Sequence, residues 1–136
     1  MAIAQHELTL EDFLRLPEDK PALEFEEGRV TQKVSPKGPH SRLQYTTLER
    51  INTFASPRRL ALAFPELRVT FGGRSYVPDI SVYRWARIPR TAEGKIAHDF
   101  SEPPDITVEI VSPGQSVNAL VRRCAWYVRH GVQVAL

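Results

Sequence analysis

Asp105-Ile106-Thr107-Val108-Glu109-Ile110-Val111 is a run of β-branched and apolar residues with one carboxylate set inside it. Such a run reads as a buried strand, where an ionised side chain needs a cation, a metal or hydrogen bonds to offset its lost hydration. A second strand is expected over residues 76–83, and it carries Asp79 directly after Pro78 and ahead of Ile80-Ser81-Val82-Tyr83. Asp79 and Glu109 lie 30 positions apart, enough for one strand and a loop to bring them side by side. Two converging carboxylates with no thiolate or second imidazole beside them form a hard-oxygen site suited to Mg²⁺ or Mn²⁺. For either carboxylate alone, a capped turn or a buried ion pair is an equal reading.

Working outward, residues 8–16 form a short amphipathic helix that Thr9 can cap and Pro17 stops. Leu23-Glu24-Phe25-Glu26 alternates as a half-buried strand does, Glu27-Gly28 turns the chain, and residues 29–35 return as its hairpin partner. Apolar residues at helical spacing predict a helix over residues 40–55. Strands follow at 60–64 and 67–71, the second joined to the 76–83 strand by Gly72-Gly73. Residues 84–104 lack periodicity, as a functional or mobile loop does. Pro113-Gly114 ends the strand of Glu109, residues 116–130 read as a helix stopped by Gly131, and residues 132–136 open another strand. This order predicts an α/β or α+β fold with one mixed, mainly antiparallel sheet flanked by helices. No glycine-rich phosphate loop follows any strand, which argues against a nucleotide-cofactor fold.

At 136 residues the chain is expected to be one domain. Its single cysteine, Cys124, excludes an internal disulfide or a cysteine-based metal cluster and suits a reducing cytoplasm. No apolar run approaches the roughly 20 residues of a membrane span, and Met1–Glu7 has neither the basic start nor the apolar stretch of a signal peptide. Charge is unevenly spread: residues 1–28 carry eight acidic and two basic side chains, residues 29–136 sixteen basic and eight acidic. Fourteen of the eighteen cations are Arg, whose fork matches phosphate geometry. Arg84 and Arg87 are candidates to grip a nucleic-acid backbone, although an Arg-rich solvated surface is the plainer reading. Trp85, Trp126, Tyr76 and Tyr83 read as core rather than as base-stacking residues.

Val77-Pro78-Asp79, followed by Val108-Glu109-Ile110-Val111-Ser112-Pro113, resembles the Uma-type restriction endonucleases of the PD-(D/E)xK nuclease superfamily. Leu23-Glu24-Phe25-Glu26-Glu27-Gly28 is similar to that family's Tyr-Glu-Leu-x-x-Gly hairpin, Ser35-Pro36 with His40 to its Ser-Pro…His helix start, and Tyr127-x-x-x-Gly131-Val132 to the end of its catalytic helix. The resemblance implies a restriction-endonuclease-like fold and a Mg²⁺- or Mn²⁺-dependent hydrolysis of phosphodiester bonds in DNA. It implies Asp79, Glu109 and the Ile110 carbonyl as metal ligands, with Glu24 as a further acidic ligand and His40 and Lys33 on the substrate side. Position 111, where the superfamily has its lysine, is Val111, and Ala119 stands where the family usually has Asp. The family's helix lysine aligns with Arg123, on one helical face with positions 119, 126 and 130. Arg can stabilise a phosphorane but stays protonated and cannot serve as a base. A catalytically impaired nuclease fold that binds nucleic acid or protein is therefore the competing expectation, with a carboxylate-pair glycosidase behind it. The resemblance also implies further strands beyond Leu136 and, by analogy with other nucleases, a homodimer.

Overall fold

The computed structural model describes residues 8–136; the reading of Met1–Glu7 lies outside the described residues. Helix α1 (Leu10–Leu14) begins as expected, with the Thr9 hydroxyl accepting from Asp12 N at 3.1 Å, and buries Phe13 against Phe25 with ring centroids 5.3 Å apart. Strands β1 (Leu23–Glu26) and β2 (Arg29–Gln32) pair antiparallel, with Glu26 opposite Arg29. Glu27 and Gly28 between them both take positive φ, 50° and 78°, the geometry that matches a two-residue hairpin to strand twist. Helix α2 (Gly38–Ala55) starts two residues before the expected position, with Pro39 in the first turn, where a missing N–H costs nothing.

Strands β3 (Ala61–Pro65), β4 (Val69–Phe71), β5 (Arg74–Tyr76), β6 (Ile80–Arg84), β7 (Ile106–Val108) and β8 (Val134–Ala135) complete two four-stranded sheets, ordered β2-β1-β5-β4 and β3-β6-β7-β8. All pairs are antiparallel except β7 with β8. The expected single strand over 76–83 is two strands in different sheets. Pro78 has no N–H to give a ladder, and Val77-Pro78-Asp79 carries the chain from one sheet to the other. The expected strand over 105–111 is also shorter, because beyond Val108 the backbone finds other partners: Glu109 N donates to Leu136 O at 2.8 Å and Ile110 N to the Asp79 carboxylate at 2.7 Å. The 84–104 segment contains a 3₁₀ turn at Trp85–Arg87 and returns to the core through Phe100, which is buried.

Side chains of β6 alternate between two faces, as a strand requires. Ile80 and Val82 pack with Leu48 and Ile51 of α2, while Tyr83 joins the larger cluster of Phe71, Tyr76, Phe100, Trp126 and Tyr127. Trp126 and Tyr127 belong to α3 (Val117–Arg129), whose Ser116 cap accepts from Ala119 N and which stops at Gly131 with φ 107°. As expected from the sequence, Tyr76, Tyr83 and Trp126 are core residues.

Gly72, in the β4–β5 turn, has φ +60°, and a Cβ there would lie 2.9 Å from both Trp126 Cζ2 and His130 Cδ2. Gly72→Ala is expected to cost about 2–3 kcal/mol from overpacking and left-handed strain together, read as a lowered urea midpoint. Gly73→Ala, where a Cβ meets nothing within 4 Å, isolates the strain and should cost about 1–2 kcal/mol.

Candidate functional site

In the β6–β7 register Ile80 faces Val108, Ser81 faces Thr107 and Val82 faces Ile106. One further step sets Asp79 opposite Glu109, on the side of the sheet that Ser81 and Thr107 share. Directly opposed residues of an antiparallel pair have Cβ atoms roughly 4.5–5.5 Å apart. The Asp79 carboxylate itself closes this step, accepting the Ile110 N–H through Oδ2. Both carboxylates are buried.

Four elements converge on them. From β1, Glu24 is buried and accepts the Val77 N–H at 2.7 Å. Just past β2, Lys33 Nζ lies 3.1 Å from Asp79 Oδ1, 2.8 Å from Glu66 Oε2 and 2.7 Å from Val77 O. These three acceptors use all three ammonium hydrogens. From the first turn of α2, His40 Nε2 sits 3.3 Å from Asp79 Oδ2, while its Nδ1 is buried without a partner. One turn on, Gln44 donates to Asp79 O at 2.8 Å and Glu66 Oε1 at 3.0 Å. From α3, Arg123 donates from both terminal nitrogens to the two oxygens of Glu24, each at 2.7 Å, and reaches Glu109 Oε1 at 3.1 Å. Its Nε donates to Tyr127 Oη at 2.7 Å, and Tyr127 Oη donates onward to Glu109 Oε1 at 2.7 Å.

Electrostatics follow from this crowding. Burial pushes the Glu109 carboxyl up to about 7, with Asp79 and Glu24 adding to the rise and Arg123 and Tyr127 opposing it. Burial also works against the charge on Lys33, yet Asp79 and Glu66 outweigh it and hold its pKa above the ordinary lysine value. Arg123 likewise overcomes burial through Tyr127, Glu109 and Glu24 and is held firmly protonated. Burial, then Glu109, raises Tyr127 well above the ordinary tyrosine value, so it remains a hydroxyl donor.

The Glu109 shift has a sign that can be measured. Its carboxyl titrates near 7 when folded and near 4.5 when unfolded, so the native state binds the proton more tightly between those values. The resulting stabilisation is full below about pH 4.5 and is lost as pH rises through about 7. At roughly 1.4 kcal/mol per pKa unit the loss is on the order of 3 kcal/mol. Urea unfolding of the metal-free protein between pH 5 and 8 should show this decline, and Glu109→Gln should flatten it.

Asp79, Glu109, Arg123, Glu24, Lys33 and His40 are thus brought together. Arg84 and Arg87 are not: they lie beyond the far end of β6, roughly 16 Å of strand from Asp79 at about 3.3 Å per residue. There the buried Asp105 accepts the Arg84 N–H and lies 2.8 Å from Arg87 Nη1. Sequence reasoning missed Tyr127, Gln44 and Glu66 as members of the cluster. Tyr127 follows Arg123 by four residues and Gln44 follows His40 by four, so each shares a helical face with a residue already singled out. Glu66, before β4, gives no comparable signal.

The donor set suits a hard divalent ion. Asp79, Glu109 and the Ile110 carbonyl offer oxygen alone, and Glu109 Oε2 receives neither of the donors that converge on Oε1. Three carboxylates here meet only two permanent cations, Arg123 and Lys33. Glu24, expected as a ligand, has both oxygens taken by Arg123. Among the described residues, no group of three or more His, Cys, Asp or Glu side chains is arranged to hold a metal, so the ion's protein ligands would be Asp79, Glu109 and the Ile110 carbonyl. No described helix is long and apolar enough to cross a membrane.

The chain is similar in structure to a protein from Anabaena variabilis described as a putative nuclease belonging to DUF820. The two are 47% identical with a TM-score of 0.91, over 94% of this chain and 72% of that one. No curated protein matches the sequence. Residues 10–136 match the Uma2 family, described as "Putative restriction endonuclease". Because that match takes in every strand and helix of the two sheets, the chain belongs to the Uma2 family of restriction-endonuclease-like proteins.

Proposed function

We propose that the chain is a metal-dependent nuclease that hydrolyses phosphodiester bonds in DNA at Asp79 and Glu109. The observation that carries this reading is the register that sets the two buried carboxylates opposite each other with Arg123 against Glu109. Asp79, Glu109 and the Ile110 carbonyl would hold Mg²⁺ or Mn²⁺. Such an ion lowers the pKa of a bound water and neutralises charge on the scissile phosphate.

The chain's own residues prepare that chemistry. Lys33 and His40 fix the Asp79 carboxylate from two sides, and the Ile110 N–H fixes it from a third. Tyr127 and Arg123 hold Glu109 through one oxygen. Arg123, permanently charged, is placed to stabilise negative charge developing on the phosphate. The basic body beyond residue 28 supplies the attraction to a polyanion.

Plasmid and oligonucleotide DNA incubated with the protein in Mg²⁺, Mn²⁺ or EDTA test the proposal. Cleavage should need the ion and vanish in both Asp79→Ala and Glu109→Ala; cleavage in EDTA, or cleavage that survives either substitution, sinks it. A second reading, a nucleic-acid-binding module without cleavage, is favoured by Arg123, which cannot take a proton where a lysine could. Binding without cleavage, unchanged in Asp79→Ala, would establish that reading instead.

A further inference from the structure

Arg123 makes every contact a guanidinium needs to be immobile. Its two terminal nitrogens fork onto Glu24, Nη2 also reaches Glu109, Nε bonds Tyr127, and the group lies over the Tyr76 ring at 4.2 Å from its centroid. Glu24 is closed off at the same time, because Oε2 also accepts the Val77 N–H. Of the three carboxylates, Glu24 is matched by Arg123 and Asp79 by Lys33. Glu109 only shares Arg123, through a single oxygen.

Resting on the metal-site reading above, we propose that Arg123 is a positioning residue that withholds Glu24 from the metal and limits the site to one weakly held divalent ion per chain. Affinity for such ions rises with the number of charged ligands and with their freedom to close on the ion. The fork removes one carboxylate from the count and leaves a fixed positive charge beside another. Lysine at this position keeps the charge as a compact ammonium. It cannot span both Glu24 oxygens while also bonding Tyr127 and Glu109, so Glu24 is released toward the ion.

Mn²⁺ titration followed by electron paramagnetic resonance of the free ion tests this on the full chain without any substrate. The wild type should bind one Mn²⁺ per chain, Arg123→Lys should bind at least ten-fold more tightly, and adding Glu24→Gln to Arg123→Lys should remove that gain. Two ions bound to the wild type, an unchanged or weaker affinity in Arg123→Lys, or a gain that persists with Glu24→Gln would each overturn the proposal. The wild-type stoichiometry needs no variant to fold. Asp79→Asn separates the two levels of inference. If the wild type binds Mn²⁺ through Asp79 but Arg123→Lys changes nothing, only the role of Arg123 falls. If no binding depends on Asp79, the metal-site reading falls with it.

Discussion

Asp79→Asn is expected to lower DNA cleavage by about 10²–10³-fold, the scale on which removing one preorganised electrostatic contact slows an enzyme. Asn keeps the volume of Asp but not its charge, and it offers one acceptor oxygen where the carboxylate offers two. In the wild type Oδ1 faces Lys33 and Oδ2 faces both the Ile110 N–H and His40. Whichever way the Asn amide turns, its NH₂ meets another donor, either the Lys33 ammonium or the Ile110 N–H. The variant should therefore also lose about 1–3 kcal/mol of stability, the cost of leaving a buried donor unmatched. Single-turnover cleavage at saturating Mg²⁺ and urea unfolding, measured on the same preparation, separate the two effects. Cleavage within ten-fold of the wild type would remove Asp79 from the chemistry.

The second large effect concerns the fold. Arg123→Ala is expected to destabilise the metal-free protein by about 3–5 kcal/mol, because it strands Glu24 and Glu109 in a buried site without their cation. Tyr76 and Tyr127 lose the guanidinium packed over their rings as well. Most of this cost belongs to the uncompensated charges rather than to any net gain from the pair. Replacing both partners with uncharged residues of similar size, Glu24→Gln with Arg123→Met, should therefore recover the larger part of it. Urea midpoints of the single and double variants give the answer; a loss below about 1 kcal/mol in Arg123→Ala would mean that the site is wetter than its burial indicates.

Asp79 and Glu109 were legible in the sequence because each is a local anomaly, a carboxylate in a run whose neighbours want no water. Arg123 was legible through helical periodicity. Lys33 and His40 were recognised as belonging to the site, but not as direct partners of Asp79. That contact depends on the packing of a hairpin extension and a helix onto a third element, and no spacing along the chain encodes it. The Arg123–Glu24 fork joins residues 99 positions apart and was invisible for the same reason. Arg84 and Arg87 were singled out on charge alone, and charge does not say which end of a strand a side chain occupies. The break at Pro78 was readable from its missing N–H, yet the continuous apolar character of residues 76–83 masked it. The expectation of one sheet rather than two followed from that.

The sheet change at Val77-Pro78-Asp79 is held in place by the polar cluster itself. Glu24 accepts the Val77 N–H, Lys33 donates to the Val77 carbonyl, and Asp79 begins the crossing into the second sheet. The residues proposed to cut DNA are thus also the mortar between the two halves of the molecule. A lineage released from the need to cut would still be selected to keep them, since losing any one would loosen the joint. Purifying selection on Glu24, Lys33 and Asp79 is for this reason a record of architecture first, and an inactive descendant would carry the same residues as an active ancestor.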